Sequence, residues 1–347
     1  MAGDVNLQRR NNRVEPLADA EAGNSGFDNS CRLDIICIRM NFGRWDAGRF
    51  PRKGTFLGRQ SVIRYAKPTT VDEALALLGE DRWRILAGGT DFYPAQGNKP
   101  FRENILDING LTALRGIVES ETHWLIGART TWTDLVRHQL PGAFDALKAA
   151  ARDVGSVQIQ NVASIAGNLC NASPAADGVP ALLVLDADVE LRSAKATRHL
   201  PLGAFILGNR RTALASGEMV TAIRVPKPAA GGTSAFVKLG ARRYLVISIA
   251  MAAARLVVDD GAVAEAAIAV GACSAVARRL TGVEAALLGL PANEALCRVV
   301  LAAPIDELSP IADVRGSAQY RQDAARELVA RAVLAAIGHT AGDQVAA

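Results

Sequence analysis

Two glycine-bearing stretches hold the residues best suited to chemistry. The first is Leu86-Ala87-Gly88-Gly89-Thr90-Asp91. Adjacent glycines let the backbone turn through positive φ and approach a ligand closely. Successive amides in such a turn form a nest for an anion, and Thr90 adds a hydroxyl donor. On its own the stretch reads as an ordinary strand-to-loop turn. It is not G-x-G-x-x-G, so a Rossmann nicotinamide site is not indicated. The second stretch runs from Gln158 to Asp177. It is dense in small and polar residues yet flanked by apolar ones, and it reads as a long functional loop. Ser164, Gly167 and Asn168 offer a second set of donors for phosphate, and Asp177 offers a carboxylate that can accept from sugar or adenine groups. The two stretches can converge on one diphosphate.

Other chemistry finds less support. Five cysteines (Cys31, Cys37, Cys170, Cys273, Cys297) form no C-x-x-C pair. That argues against a disulfide framework, an iron–sulfur cluster or a structural zinc held by this chain alone. Cys170 reads as a small packing residue. The four histidines (His123, His138, His199, His339) are scattered without metal-ligand spacing, so no metal ligand is assigned. No Ser-His-Asp arrangement can be read, and no side chain is singled out as a catalytic acid, base or nucleophile.

Lys and Arg number 39 against 35 Asp and Glu, a net charge of +4 with the signs interspersed. A dedicated nucleic-acid protein is therefore not expected. The longest apolar candidate, Ile247 to Val258, is cut by Arg255 and is too short to span a membrane. The N-terminus carries no signal-peptide core. Together these features predict a reducing, cytoplasmic setting.

The elements that must position the two stretches are legible in part. Met1 to Asn29 lacks a sustained apolar period, and residues 1–62 as a whole read as a disordered extension. Order begins near Ile63. Thr70-Val71-Asp72-Glu73 is a capping box ahead of an amphipathic helix that Gly79 is expected to stop. Arg84 to Ala87, Asn104 to Ile108 and Thr122 to Ile126 read as strands; Thr133 to Gln139 and Phe144 to Val154 read as helices. Ala187 to Leu191, Met219 to Val225 and Ala235 to Leu239 read as strands. Ile247 to Val258 and Val263 to Ala272 form a hairpin about Asp259-Asp260-Gly261. Helices are expected over Val276 to Leu288, Glu294 to Ala302 and Ala318 to Ile337. Strict strand–helix alternation is missing, so the class is α+β rather than doubly wound.

The two stretches taken together resemble the FAD-binding medium subunit of the molybdenum hydroxylases, the carbon monoxide dehydrogenase and xanthine dehydrogenase group. Ala87 to Asp91 matches the A-G-G-T/H-D/S signature. Ser164 to Asn168 and Ala172 to Asp177 match T-I-G-G-N followed by A-S-P-x-x-D. Gly217 to Pro226, Phe236-Val237-Lys238-Leu239 and Asp313 to Arg321, the last resembling D-x-R-G-S-A-x-Y-R, continue the likeness in order. It covers roughly Ile63 to Gly338, and the ordered set is far more specific than either stretch alone.

The resemblance implies a PCMH-type FAD-binding fold: subdomains at 63–115 and 116–228, then a C-terminal flavoprotein domain at 229–340 with a three-stranded sheet plus helices. It implies non-covalent FAD in the cleft between the first two pieces. Ala87, Gly88, Gly89, Thr90 and Asp91 would hold the diphosphate region. Ser164, Ile165, Ala166, Gly167 and Asn168 would form a second cradle, with Asp177 a further polar contact. Lys238 would lie near the isoalloxazine, where a positive charge favours the reduced anion. Electrons would arrive from the [2Fe–2S] clusters of a small subunit, after substrate oxidation at the molybdenum cofactor of a large subunit, and leave to an external acceptor. The assembly implied is a dimer of heterotrimers. A stand-alone flavin reductase of the UDP-N-acetylenolpyruvoylglucosamine reductase type is the alternative, although no extra substrate motif is visible. A scaffold that has lost flavin rests on two departures alone. Ala166 replaces the first glycine of the family pair, and is strained only if that position needs positive φ. Gln160 stands where an arginine is common. Two further departures concern the ring end: Leu245-Val246-Ile247 lacks the usual acid, and Val154 stands where spacing places the aromatic that stacks on the flavin in some relatives.

Overall fold

The computed structural model describes residues 63–338. The expected N-terminal extension, its strand at Leu33 to Met40 included, lies outside them.

Three larger sheets organise the described residues, beside a two-stranded pair of Ile206–Gly208 with Arg211–Thr212. A parallel sheet orders Tyr65–Ala66, Asn104–Asp107 and Trp83–Leu86. The helix Val71–Glu80 covers it, burying Ala74, Leu75 and Leu78 against Trp83 and Leu106. Thr70 caps that helix, its side chain accepting from the Glu73 amide at 3.3 Å. Glu73 reaches back one residue further than expected, to the Thr69 amide. Gly79 does not stop the helix, which continues to Glu80 with Asp81 as C-cap.

An antiparallel sheet follows, ordered Ile117–Glu119, His123–Gly127, Met219–Pro226, Asp188–Arg192 and Thr197–Pro201. Its apolar face packs on the helices Trp132–Arg137, Asp145–Asp153, Ile165–Asn171 and Gly178–Leu183.

The last sheet is antiparallel: Thr233–Leu239, Ala250–Asp259, Ala262–Gly271 and Arg278–Arg279. The three long strands expected are present, with a two-residue fourth at the edge. Val276 to Leu288 is therefore not one helix: Arg278–Arg279 pairs with the sheet and only Thr281–Leu287 is helical. Both faces of the central strand are buried. Ala250, Ala252, Ala254 and Leu256 face the core built with the helices Leu296–Ala302 and Ala318–Ala336, whereas Ala253 joins the core of the preceding sheet. Side chains alternate along a strand, and the alanines let both layers approach closely. The turn uses Asp260 at φ 47° and Gly261 at φ 75°, the left-handed pair that a two-residue hairpin requires.

Candidate cofactor cleft

The first glycine stretch leaves the end of Trp83–Leu86 and enters the short helix Phe92–Gln96. Gly89 takes φ 76°, a conformation that few other residues tolerate. The amides of Gly88, Gly89, Thr90 and Asp91 make no hydrogen bond among the described residues. The turn is held from behind. Tyr65 donates to Asp107 at 2.6 Å, Asp107 accepts the Asn109 amide at 2.8 Å, and Asn109 Nδ2 donates to the Ala87 carbonyl at 2.8 Å.

The second stretch is not a loop. It contains the short helices Val157–Gln160 and Ile165–Asn171 and leads into Gly178–Leu183. Ser164 is an N-cap whose side chain accepts from Gly167 at 3.1 Å. The Ile165 amide is taken by Thr130, and the Ala166 amide has no partner among the described residues. Ala166 is helical and buried, not at positive φ. Gln160 braces its own surroundings: Nε2 donates to the carbonyls of Arg152 and Val154 at 2.9 and 3.0 Å.

The two stretches meet. A Cβ on Gly88 would overlap the Val162 carbonyl. Together they line a cleft of about 1210 Å³ that includes Ala87 to Asp91, Ser164, Ala166, Gly167 and Asn168. Ile165 points into the core instead. This cleft exceeds the usual size of a drug-sized ligand pocket, roughly 300–1,000 Å³. Asn168 has a buried Oδ1 without a partner. Unpaired amides and a glycine pressed on facing backbone fit an extended ligand with an anionic centre, as FAD is, whereas the orphaned Asn168 oxygen is an acceptor and suits a donor group.

Asp177 and Lys238 are brought together rather than into the cleft lining. Their side chains are 9% and 7% exposed, and Lys238 Nζ sits 2.6 Å from Asp177 Oδ2. Ser248 donates to the other carboxylate oxygen at 2.6 Å, and Lys238 also reaches the Asp153 carbonyl at 3.3 Å. Burial pushes the Asp177 carboxyl above its ordinary value, opposed by Lys238 and Ser248. Burial likewise raises Asp153, opposed by Lys238 and Arg243. Cys170 is not a buried packing residue: it is exposed and lines the cleft.

Three lining or supporting residues carry no sequence signal of their role. Trp132 lines the cleft while 1% exposed, and its capping box (Thr131 with Asp134) is the available local hint. Tyr65 acts through Asp107, 42 residues away, and Asn109 reaches the turn through Ala87, 22 residues away. Among the described residues no group of three or more His, Cys, Asp or Glu is placed to hold a metal, and no helix is long and apolar enough to cross a membrane.

Comparison with known proteins agrees with this geometry. The family described as the FAD binding domain in molybdopterin dehydrogenase matches residues 61–228, and the CO dehydrogenase flavoprotein C-terminal domain matches residues 235–336. The putative xanthine dehydrogenase FAD-binding subunit of Escherichia coli is 30% identical over 284 residues, covering 79% of this chain and 97% of the relative. The nicotinate dehydrogenase FAD-subunit of Eubacterium barkeri is 34% identical over 265 residues, 74% and 90% of the two chains. A solved structure of carbon monoxide dehydrogenase from Hydrogenophaga pseudoflava superposes with a TM-score of 0.72 at 31% identity, covering 80% of this chain and 98% of that one.

Proposed function

The chain belongs to the FAD-binding flavoprotein family of the molybdopterin dehydrogenases, and on that premise we propose that it transfers electrons within a molybdenum hydroxylase. It takes them from an iron–sulfur subunit and passes them to an external acceptor. The observation that carries this reading is the contact of Gly88 with Val162, which sets the free amides of the first stretch and the Ala166 amide on one cleft.

In this reading Ala87 to Asp91 wrap the diphosphate, with the free amides of Gly88 to Asp91 as donors. Ser164, Ala166, Gly167 and Asn168 face it from the opposite wall, where the Ala166 amide remains available, while Ile165 packs behind them. Asp177 and Lys238 support the far end as an ion pair rather than as two separate contacts. Bound FAD supplies the redox centre; the protein supplies binding, orientation and exclusion of water. A large molybdenum subunit, an iron–sulfur subunit and a dimer of such heterotrimers complete the proposed assembly. Among the described residues Cys170, Cys273 and Cys297 form no disulfide with one another, which supports a reducing, cytoplasmic setting.

The test is an FAD titration of the purified chain followed by visible absorbance and flavin fluorescence, with co-purification from the native source. One tightly bound FAD, together with iron–sulfur and molybdenum subunits, is the expected result. Turnover of a small substrate with NADPH by the isolated chain would instead favour the stand-alone reductase.

A further inference from the structure

Residues 240–248 form a strap between the strands Thr233–Leu239 and Ala250–Asp259. Leu245, Val246 and Ile247 line the cleft from it. Its tip is open to solvent: Tyr244, Leu245 and Ile247 are 61%, 52% and 53% exposed. Within it Leu245 stands at φ 51°, and the Arg242 guanidinium holds the Leu245 carbonyl at 2.5 Å. Such a segment has little core of its own, so what fixes it must lie at its ends.

Both ends go to one carboxylate. Lys238, just before the strap, binds Asp177 Oδ2, and Ser248, its last residue, binds Asp177 Oδ1, each at 2.6 Å. Between them the Ile249 amide donates to the Leu239 carbonyl at 2.8 Å and closes the base. Asp177 is 7% exposed and opens the helix Gly178–Leu183, every residue of which is buried. It is therefore a fixed anchor. An ionised carboxylate accepts at two oxygens and donates at neither, which is what two donor feet demand. An amide in its place can accept at only one.

We propose that Asp177 is a positioning residue: it ties both feet of the 240–248 strap and so holds Leu245, Val246 and Ile247 as one apolar wall of the cleft. Lys238 is neutralised by the same tie and acts as a foot of the strap. The same ammonium also holds the Asp153 carbonyl, beside Val154 and Gly155 of the facing wall. One pair thereby sets the spacing of two walls. The functional meaning of that spacing rests on the cleft being the FAD site; the tie itself does not.

The strap reports on its own fixation, because Arg242 and Arg243 are exposed trypsin sites. Limited trypsinolysis of the full chain without FAD, with cleavage after these two residues mapped by mass spectrometry, is compared for wild type, Asp177→Asn, Ser248→Ala and the double variant Asp177→Asn/Lys238→Met. Cleavage is expected to rise about tenfold or more in Asp177→Asn and less in Ser248→Ala, which frees one foot. The double variant, which leaves no buried unpaired charge, should still cleave fast. FAD affinity should fall in the same order. Unchanged strap cleavage in a folded Asp177→Asn would overturn the proposal, and if FAD affinity were lost at the same time Asp177 would be a direct cofactor contact. Should Asp177→Asn fail to fold, Ser248→Ala decides: cleavage at the wild-type rate overturns the tie. If wild type binds no FAD, the cofactor reading fails while the cleavage order still judges the tie.

Discussion

Gly88 presses its backbone against the Val162 carbonyl, and through that contact two segments far apart in sequence come to line one cleft. No side chain fits there. Gly88→Ala is expected to cost about 1–3 kcal/mol, because backbone must shift to admit the methyl group. FAD affinity should drop at least about tenfold as the two stretches separate. Gly79→Ala is the control: it lies in a helix with open space around it, and should gain roughly 0.5–1 kcal/mol. Thermal unfolding and FAD titration of both variants check the pair.

That contact also marks what is legible in the sequence. Gly88-Gly89 after a strand announces a turn with free amides, since few other uses exist for adjacent glycines there. The second stretch reads as a loop because its helices are short. Ile165–Asn171 is seven residues long, too short for an amphipathic period to emerge. Ser164 is nonetheless an N-cap of the usual type. Val276 to Leu288 misleads for a different reason: Arg278–Arg279 is drawn into strand pairing by Ala269 and Val270, a tertiary effect no local propensity reveals. The tie from Asp177 to Lys238 and Ser248 is equally invisible, because its partners lie 61 and 71 residues along the chain.

Ala166 carries no strain. It sits in the first turn of a helix, where restoring the family glycine brings no conformational relief. Ala166→Gly should leave FAD affinity within about twofold and cost up to about 1 kcal/mol of stability. A gain in affinity large enough to turn a colourless preparation yellow would show that the methyl group obstructs the cofactor.

The relay from Tyr65 through Asp107 and Asn109 to Ala87 predicts an alkaline signature. The hydrogen bond to Asp107, helped by burial, pushes the Tyr65 phenol up to about 12 from 10.0. The protonated phenol is the form that the fold favours. Its contribution is complete below the ordinary value and is lost as pH rises from there through about 12. Near-ultraviolet titration of wild type against Tyr65→Phe should show one tyrosine ionising late. Tyr65→Phe should also weaken FAD binding modestly, and Asn109→Ala more so, because Asn109 touches the loop itself.

Gln160, a departure from the family's usual arginine, holds the opposite wall. Its amide donates to the Arg152 and Val154 carbonyls where the helix Asp145–Asp153 ends, and Val154 and Gly155 line the cleft just beyond. Carbonyls at a helix end need donors. Gln160→Ala removes two such bonds at about 0.5–1.5 kcal/mol each. Gln160→Glu should be worse, since a carboxylate of the same shape only accepts and would face two acceptors. Gln160→Arg keeps donors and should retain FAD. Melting temperature and FAD affinity measured across the three variants should rank Arg above Ala above Glu; equal affinity in all three would mean that this helix end does not position the cofactor wall.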